Sequence, residues 1–153
     1  QPEMIEDIFR EAIHHLGRNK RKHNISMHLE DDLLMANMDA RLIIQVLVNL
    51  MNNAIKYTPE NSNISLNARR VEDKILIEVQ DDGNGVLHPE QLFEMFYTEN
   101  NRSGDTRRGM GLGLSLCKSI VQSHGGTIWV ENVKPHGACF KFLLEAVEVK
   151  LYE

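Results

Sequence analysis

A two-layer α/β sandwich, with helices packed on a mainly antiparallel sheet, is the fold class this sequence predicts. Three observations carry it. Residues 3–16 and 40–57 repeat apolar side chains at the period of an amphipathic helix. "NISLNARRV" and "KILIEVQD" alternate at the period of a strand and are separated by only Glu72 and Asp73, the signature of a β-hairpin. A third helical run, "LGLSLCKSIVQSH", leads into two closing strands, "GTIWVEN" and "GACFKFLLEAVEV". Helices and strands in this order bury an apolar face of each layer against the other.

The elements follow along the chain. Met4, Ile5, Ile8, Ala12, Ile13 and Leu16 recur at helical spacing and stop near Gly17. A basic turn runs from Arg18 to Lys22, after which "NISMHLE" alternates as a strand and "LLMANM" supplies a second short one. Asp39 is placed to cap a long helix over 40–57, which Thr58-Pro59 ends because the residue before proline is driven out of the helical region. A short helix is expected at 89–96. "TENNRSGDTRRGMG" is polar and punctuated by glycine, the least structured stretch. Without repeats or a long linker, residues 1–153 read as one domain.

Bulk properties narrow the function. The chain has 153 residues, 42% hydrophobic and 25% charged, enough for a real core. A net charge of −5 argues against a general nucleic-acid binder. No apolar stretch approaches the ~20 residues of a membrane span, and no signal peptide is visible. Beginning at Gln1, the chain reads as an excised fragment whose parent could carry membrane segments. Cys117 and Cys139 form no disulfide framework or metal site and read as half-buried thiols in a reducing compartment. The sequons at Asn24, Asn63 and Asn101 and the His14-His15 pair are assigned no role.

The helix over 40–57 is unusual. At 100° per residue, Gln45, Asn49, Asn52, Asn53 and Lys56 fall on one narrow stripe, while Leu42, Ile43, Val46, Leu47, Leu50, Met51, Ala54 and Ile55 fill most of the rest. Surface helices show broad faces of Glu and Lys. Amides on a narrow stripe suit a buried helix lining a polar cavity, because a buried amide without a partner costs about 1–3 kcal/mol. A plain solvent-facing stripe is the competing reading.

Two glycine-rich segments shift that balance. In "DDGNGV", Gly83 and Gly85 let backbone approach a flat ligand, and Asp81 offers a carboxylate acceptor for an exocyclic amine such as that of adenine. Alone, this pattern is also a common turn. In "RGMGLGLSL", Gly109, Gly111 and Gly113 open a helix whose first N–H groups can bind phosphate. No Lys-Ser/Thr follows for a P-loop, and Leu114 stands where a dinucleotide fingerprint wants glycine.

Together these segments resemble the catalytic, ATP-binding domain of sensor histidine kinases, which shares its fold with gyrase, heat-shock chaperone ATPases and mismatch-repair ATPases. "NLMNNAIKYT" is similar to the N box, "DDGNG" to the first glycine box, "LFEMFYT" to the F box, and "GMGLGLSLCKSIVQSHGGTIWVEN" to the second glycine box with its helix and strand. The order and spacing match over roughly residues 24–145. The resemblance implies a mixed five-stranded sheet covered on one face by three helices, with ATP and Mg²⁺ between helices under a lid at about 98–110. It places Asn53 on Mg²⁺ with Asn49 in support, Lys56 on phosphate oxygens, and Tyr57 against the base or ribose. Asp81 would receive the adenine amine, with Gly83, Gly85 and Val86 as the wall. Arg108, Gly109, Gly111, Leu112, Gly113 and Leu114 would enclose the phosphates. Phe93 and Phe96 would pack the base of the lid, with Met95 and Met110 filling gaps.

The sequence departs from the family pattern at two places. Thr98 stands where many members carry an arginine that approaches the γ-phosphate, leaving Arg102, Arg107 or Arg108 to substitute or to be plain solvated loop residues. Ala138 follows Gly137 where Ser or Thr is common. "GACF", "RRGMGLGL" and "VLVNLMNNAIKYTPENS" resemble Kdp-type kinases, which respond to potassium and osmotic stress. The implied activity is transfer of the γ-phosphate to a histidine on the parent's dimerisation hairpin, from which a response regulator takes it. None of His14, His15, His23, His28, His88, His124 or His136 has the acidic follower of a phosphoacceptor on such a hairpin. The fragment is therefore expected to be a monomer, cytoplasmic, able to bind ATP or ADP but not to phosphorylate itself, within a parent that is membrane-anchored and homodimeric. An ATPase or serine-directed anti-sigma kinase of the same superfamily, or a nucleotide module with lost activity, are the rivals.

Overall fold

The computed structural model describes residues 1–17, 22–31, 33–94 and 112–147. Helix α1 (Ile5–Leu16) buries Ile5, Ile8, Phe9, Ala12 and Leu16, then stops at Gly17, whose positive φ of 58° turns its N–H back to His14. Helix α2 (Ala40–Tyr57) begins as the sequence indicates: the Asp39 side chain accepts from Leu42 N–H at 3.3 Å, satisfying one of the free N-terminal donors. It ends at Thr58, in extended conformation before Pro59. Helix α3 (Leu112–Ser123) completes the helical layer.

Strand β1 (Pro2–Met4) pairs antiparallel with β3 (Met35–Asn37) as a separate two-stranded sheet. The first of these replaces the helical start expected at residue 3. Pairing with Met35–Asn37 holds Pro2–Met4 extended, and the helix begins only at Ile5. The main sheet has the order β2-β4-β5-β7-β6, formed by Asn24–Leu29, Asn63–Val71, Lys74–Asp81, Ala138–Glu145 and Ile128–Asn132. Only β2 and β4 run parallel; the other pairs are antiparallel. Three helices on a mixed five-stranded sheet match the expected architecture.

Side-chain alternation decides what faces the helices. Ile64, Leu66, Ile75, Ile77, Val79, Phe140, Phe142 and Leu144 join Val46, Leu47, Leu50 and Met51 in one core. Asp81 continues the Ile75–Ile77–Val79 series and is thereby carried, buried, to the inner face at the end of β5. The opposite face carries an ion-pair cluster: Lys141 Nζ meets Glu131 at 2.6 Å and Glu78 at 3.4 Å.

Two expectations change. The helix anticipated at 89–96 is a single 3₁₀ turn at Pro89–Gln91, after which Leu92 and Phe93 turn inward; Phe93 stacks edge-on against Phe140, centroids 5.9 Å apart. Met95 and Phe96 lie outside the described residues. Cys117 and Cys139 are fully buried rather than half-buried, and burial pushes both thiols up to about 12, holding them as inert neutral groups. No helix among the described residues is long and apolar enough to cross a membrane.

Candidate functional site

The direction of α3 against α2 sets the site. At one end, the His124 ring joins the helices: Nδ1–H donates to Ile120 O at 2.8 Å, and Nε2 accepts from Asp39 N–H at 3.0 Å. Midway, the Cys117 thiol donates to the Val46 carbonyl at 3.8 Å. The end of α3 therefore lies at the start of α2, and the two helices run antiparallel. Gly113 is one turn before Cys117 and Leu50 one turn after Val46, which brings the start of α3 level with the turn of α2 between Leu50 and Asn53. The start of α3 thus opens toward the last turns of α2.

On α2, Asn49, Asn52, Asn53 and Lys56 are half-buried, as expected of a stripe at the margin of a cavity. The Lys56 ammonium lies 5.5 Å from the centre of the Tyr57 ring, which is itself partly exposed. Among the described residues, a methyl group at Gly113 would meet nothing within 4 Å. Leu114 packs against the core instead.

The Asp81–Val86 segment meets this end of α2. A Cβ at Gly83 would come 2.6 Å from Thr58 Cγ2 and 3.2 Å from Asp81 Oδ1, so the loop runs directly against the C-cap of α2. Thr58 is held there by its hydroxyl, which donates to Ala54 O at 2.7 Å and accepts from His23 Nε2 at 2.9 Å. Asp81 Oδ1 accepts from Gly83 N–H at 2.9 Å and Ala138 N–H at 3.3 Å, leaving Oδ2 for an outside donor. Burial raises the Asp81 pKa above 3.8, with those two backbone bonds opposing and neighbouring Asp82 adding to the rise. An amine donor reaching Oδ2 would favour the ionised form. Gly85 takes a φ of +85°, a backbone conformation glycine adopts without strain.

The donor set fits a magnesium-bound nucleotide. Amide oxygens suit a hard cation, an ammonium and a glycine-started helix suit phosphate, and a buried carboxylate suits an exocyclic amine. The structure brings Asn53, Lys56, Tyr57, Asp81 and Gly83 to the C-terminal end of α2, with Asn49 one turn before Asn53, Gly85 and Val86 further along the loop against the β6–β7 hairpin, and Gly113 at the start of the neighbouring α3. Arg108, Gly109 and Gly111, with Arg102 and Arg107, lie outside the described residues, as does the Leu112 side chain. Sequence reasoning missed Asn132, His136 and Thr58 as parts of this end. Thr58 stood inside the amide motif, but Asn132 and His136 reach the loop only through β7–β5 pairing, and no local pattern marks them. A separate hollow of about 600 Å³, lined by Glu3, Asn37, Asp39, Arg41 and His124, lies at the opposite end of α2.

Residues 38–148 match the family model described as histidine kinase-, DNA gyrase B-, and HSP90-like ATPase. The sensor protein KdpD of Clostridium acetobutylicum is 37% identical over 142 residues, covering 92% of this chain and 16% of that protein. Among solved structures, a nucleotide-free catalytic domain of histidine kinase ThkA superposes with a TM-score of 0.82 at 29% identity, covering 95% of this chain and 96% of that one. ThkA in complex with the response regulator protein TrrA gives 0.80 at 28% identity, covering 96% of this chain and 42% of that one. The chain thus spans a small part of the curated sensor it matches and nearly all of the isolated catalytic domain.

Proposed function

The chain belongs to the histidine kinase-, DNA gyrase B-, and HSP90-like ATPase family, and from that premise we propose that residues 1–153 are the ATP-binding catalytic domain of a sensor histidine kinase, with a lid at about 98–110. The observation that carries this reading is Asp81: a buried carboxylate with one oxygen saturated by backbone and the other without a partner among the described residues, opening the loop that packs against the C-cap of the helix that bears Asn53 and Lys56.

Each residue has a role in placement. Asp81 Oδ2 accepts the adenine amine, while Gly83, Gly85 and Val86 wall the base and Tyr57 packs on base or ribose. Lys56 neutralises phosphate oxygens. The first turn of α3 from Gly113, with Arg108, Gly109, Gly111, Leu112 and Leu114, encloses the triphosphate. Asn53, with Asn49 beside it, would hold Mg²⁺, which when bound offsets phosphate charge. Phosphoryl transfer requires this alignment and neutralisation more than covalent chemistry from the protein.

The acceptor is a histidine on the parent's dimerisation hairpin, and a response regulator is the next partner, a reading supported by the ThkA–TrrA complex. The match to a sensor protein KdpD supports the Kdp-type reading of the parent; in that reading the parent senses potassium or osmotic stress, is dimeric, and is anchored with this domain on the cytoplasmic side. The chain itself is a monomer that binds nucleotide without labelling itself.

Titration calorimetry with ADP and Mg²⁺ tests the reading. Saturable binding is expected, with loss of at least about a hundredfold in Asp81→Asn, where an amide N–H faces the adenine amine in place of an acceptor. An inosine nucleotide, whose 6-oxo group can accept from that amide, should lose far less. Absence of heat with any adenine nucleotide would sink the proposal.

A further inference from the structure

The segment that would wall the base is braced by the β6–β7 hairpin. The Asn132 side chain makes both of its amide bonds to one residue: Oδ1 accepts from Val86 N–H at 2.7 Å, and Nδ2 donates to Val86 O at 3.0 Å. At the other end of the loop, His136 Nδ1–H donates to Asp82 O at 2.6 Å and, more weakly, to Gly83 O at 3.2 Å. Both acceptors are carbonyls, so the proton must sit on Nδ1, in the neutral tautomer and the imidazolium alike. Between these points the hairpin lies against the loop. A Cβ at Gly85 would come 2.5 Å from Asn132 Oδ1, and one at Gly137 would strike the Asp81 carbonyl. Ala138 N–H then reaches the Asp81 carboxylate itself.

Resting on the nucleotide reading of this site, we propose that Asn132 is a positioning residue for base recognition, clamping the Val86 peptide so that the Gly83–Val86 wall and the Asp81 carboxylate keep their spacing before nucleotide arrives. His136 anchors the other end of the same loop. Asn132 touches no nucleotide; it acts through Val86.

The test compares the wild-type chain with Asn132→Ala and Asn132→Asp at a temperature where all are fully folded, so that a general loss of stability leaves the ADP dissociation constant unmoved. Loss of two hydrogen bonds that preorganise the loop should weaken ADP about tenfold in Asn132→Ala and speed amide exchange at Val86 by a comparable factor. Asn132→Asp retains an acceptor for Val86 N–H and should recover part of both effects. It also carries the test if the alanine variant does not fold. Unchanged exchange at Val86 overturns the clamp. Faster exchange with unchanged ADP affinity overturns the positioning role. A wild-type chain that binds no ADP defeats the nucleotide reading separately, and Val86 exchange still decides whether Asn132 holds the loop.

Discussion

The two ends of the proposed nucleotide site are built differently. At the base end, Asp81, Gly83 and Val86 are braced by α2 through Thr58, by β4 through Asn63, and by the β6–β7 hairpin through Asn132, His136 and Ala138. At the phosphate end, Asn53 and Lys56 lie on the last turns of α2, and the Cys117 thiol joins that helix to α3 at Val46, two turns before Asn53. The contrast follows from what each end must bind. A flat base with a fixed donor pattern is recognised by a rigid wall, which avoids the entropic cost of ordering groups on binding. A hydrated metal and a flexible triphosphate are gathered by side chains that adjust.

Asn53→Ala gives the largest expected effect and the sharpest test of that division. It should remove the gain in ATP affinity on adding Mg²⁺, a loss on the order of a hundredfold, while metal-free ADP binding changes little. Calorimetry with and without Mg²⁺ reads both. Equal losses with and without metal would mean that the ends are not separable and that Asn53 supports the base pocket as well.

How much of this was legible in the sequence tracks the range of the interactions. The Asp39 cap, the termination at Thr58 and the turn at Glu72–Asp73 are local and emerged where expected. The placement of Asp81 was also legible, because alternation along β5 carries it to the inner face. The β1 strand was not, since Pro2–Met4 shares helical apolar spacing with α1 and is decided by pairing with Met35–Asn37, more than thirty residues away. Asn132 and His136 were hidden for the same reason: each bonds backbone from a strand neighbour that only the sheet order brings close. His124 was seen only as a histidine without a phosphoacceptor's setting, and its bond to Asp39 N–H spans the two ends of separate helices.

His124 supplies the next, smaller effect. It joins α2 and α3 at the end remote from the site, accepting one of the helix-start donors that Asp39 alone cannot satisfy. His124→Ala should cost about 1–2 kcal/mol in urea unfolding and leave the ADP dissociation constant unchanged. A matching fall in ADP affinity would break the comparison, because the bracing of the far end would then reach the phosphates along both helices.

The smallest effect separates two adjacent carboxylates by the sign of their pH dependence. Asp81 is pushed above 3.8 chiefly by burial, so the folded chain holds its proton more tightly than the unfolded one, and its contribution to stability declines as pH rises from 3.8 through the folded value. Asp82 is desolvated too, but bonds from the Asn63 side chain at 2.8 Å and backbone N–H at 3.0 Å outweigh that and hold it below 3.8. Its contribution is present above 3.8 and is lost as pH falls through the folded value. Urea midpoints measured against pH should therefore move oppositely relative to wild type. Asp81→Asn, which keeps the acceptor for Gly83 and Ala138 N–H, gains as pH rises above 3.8. Asp82→Asn shows a deficit of no more than about 1 kcal/mol near neutrality that closes below 3.8. Parallel slopes for the two variants would mean that Asn63 does not hold Asp82, and the brace on the base end from β4 would have to be struck out.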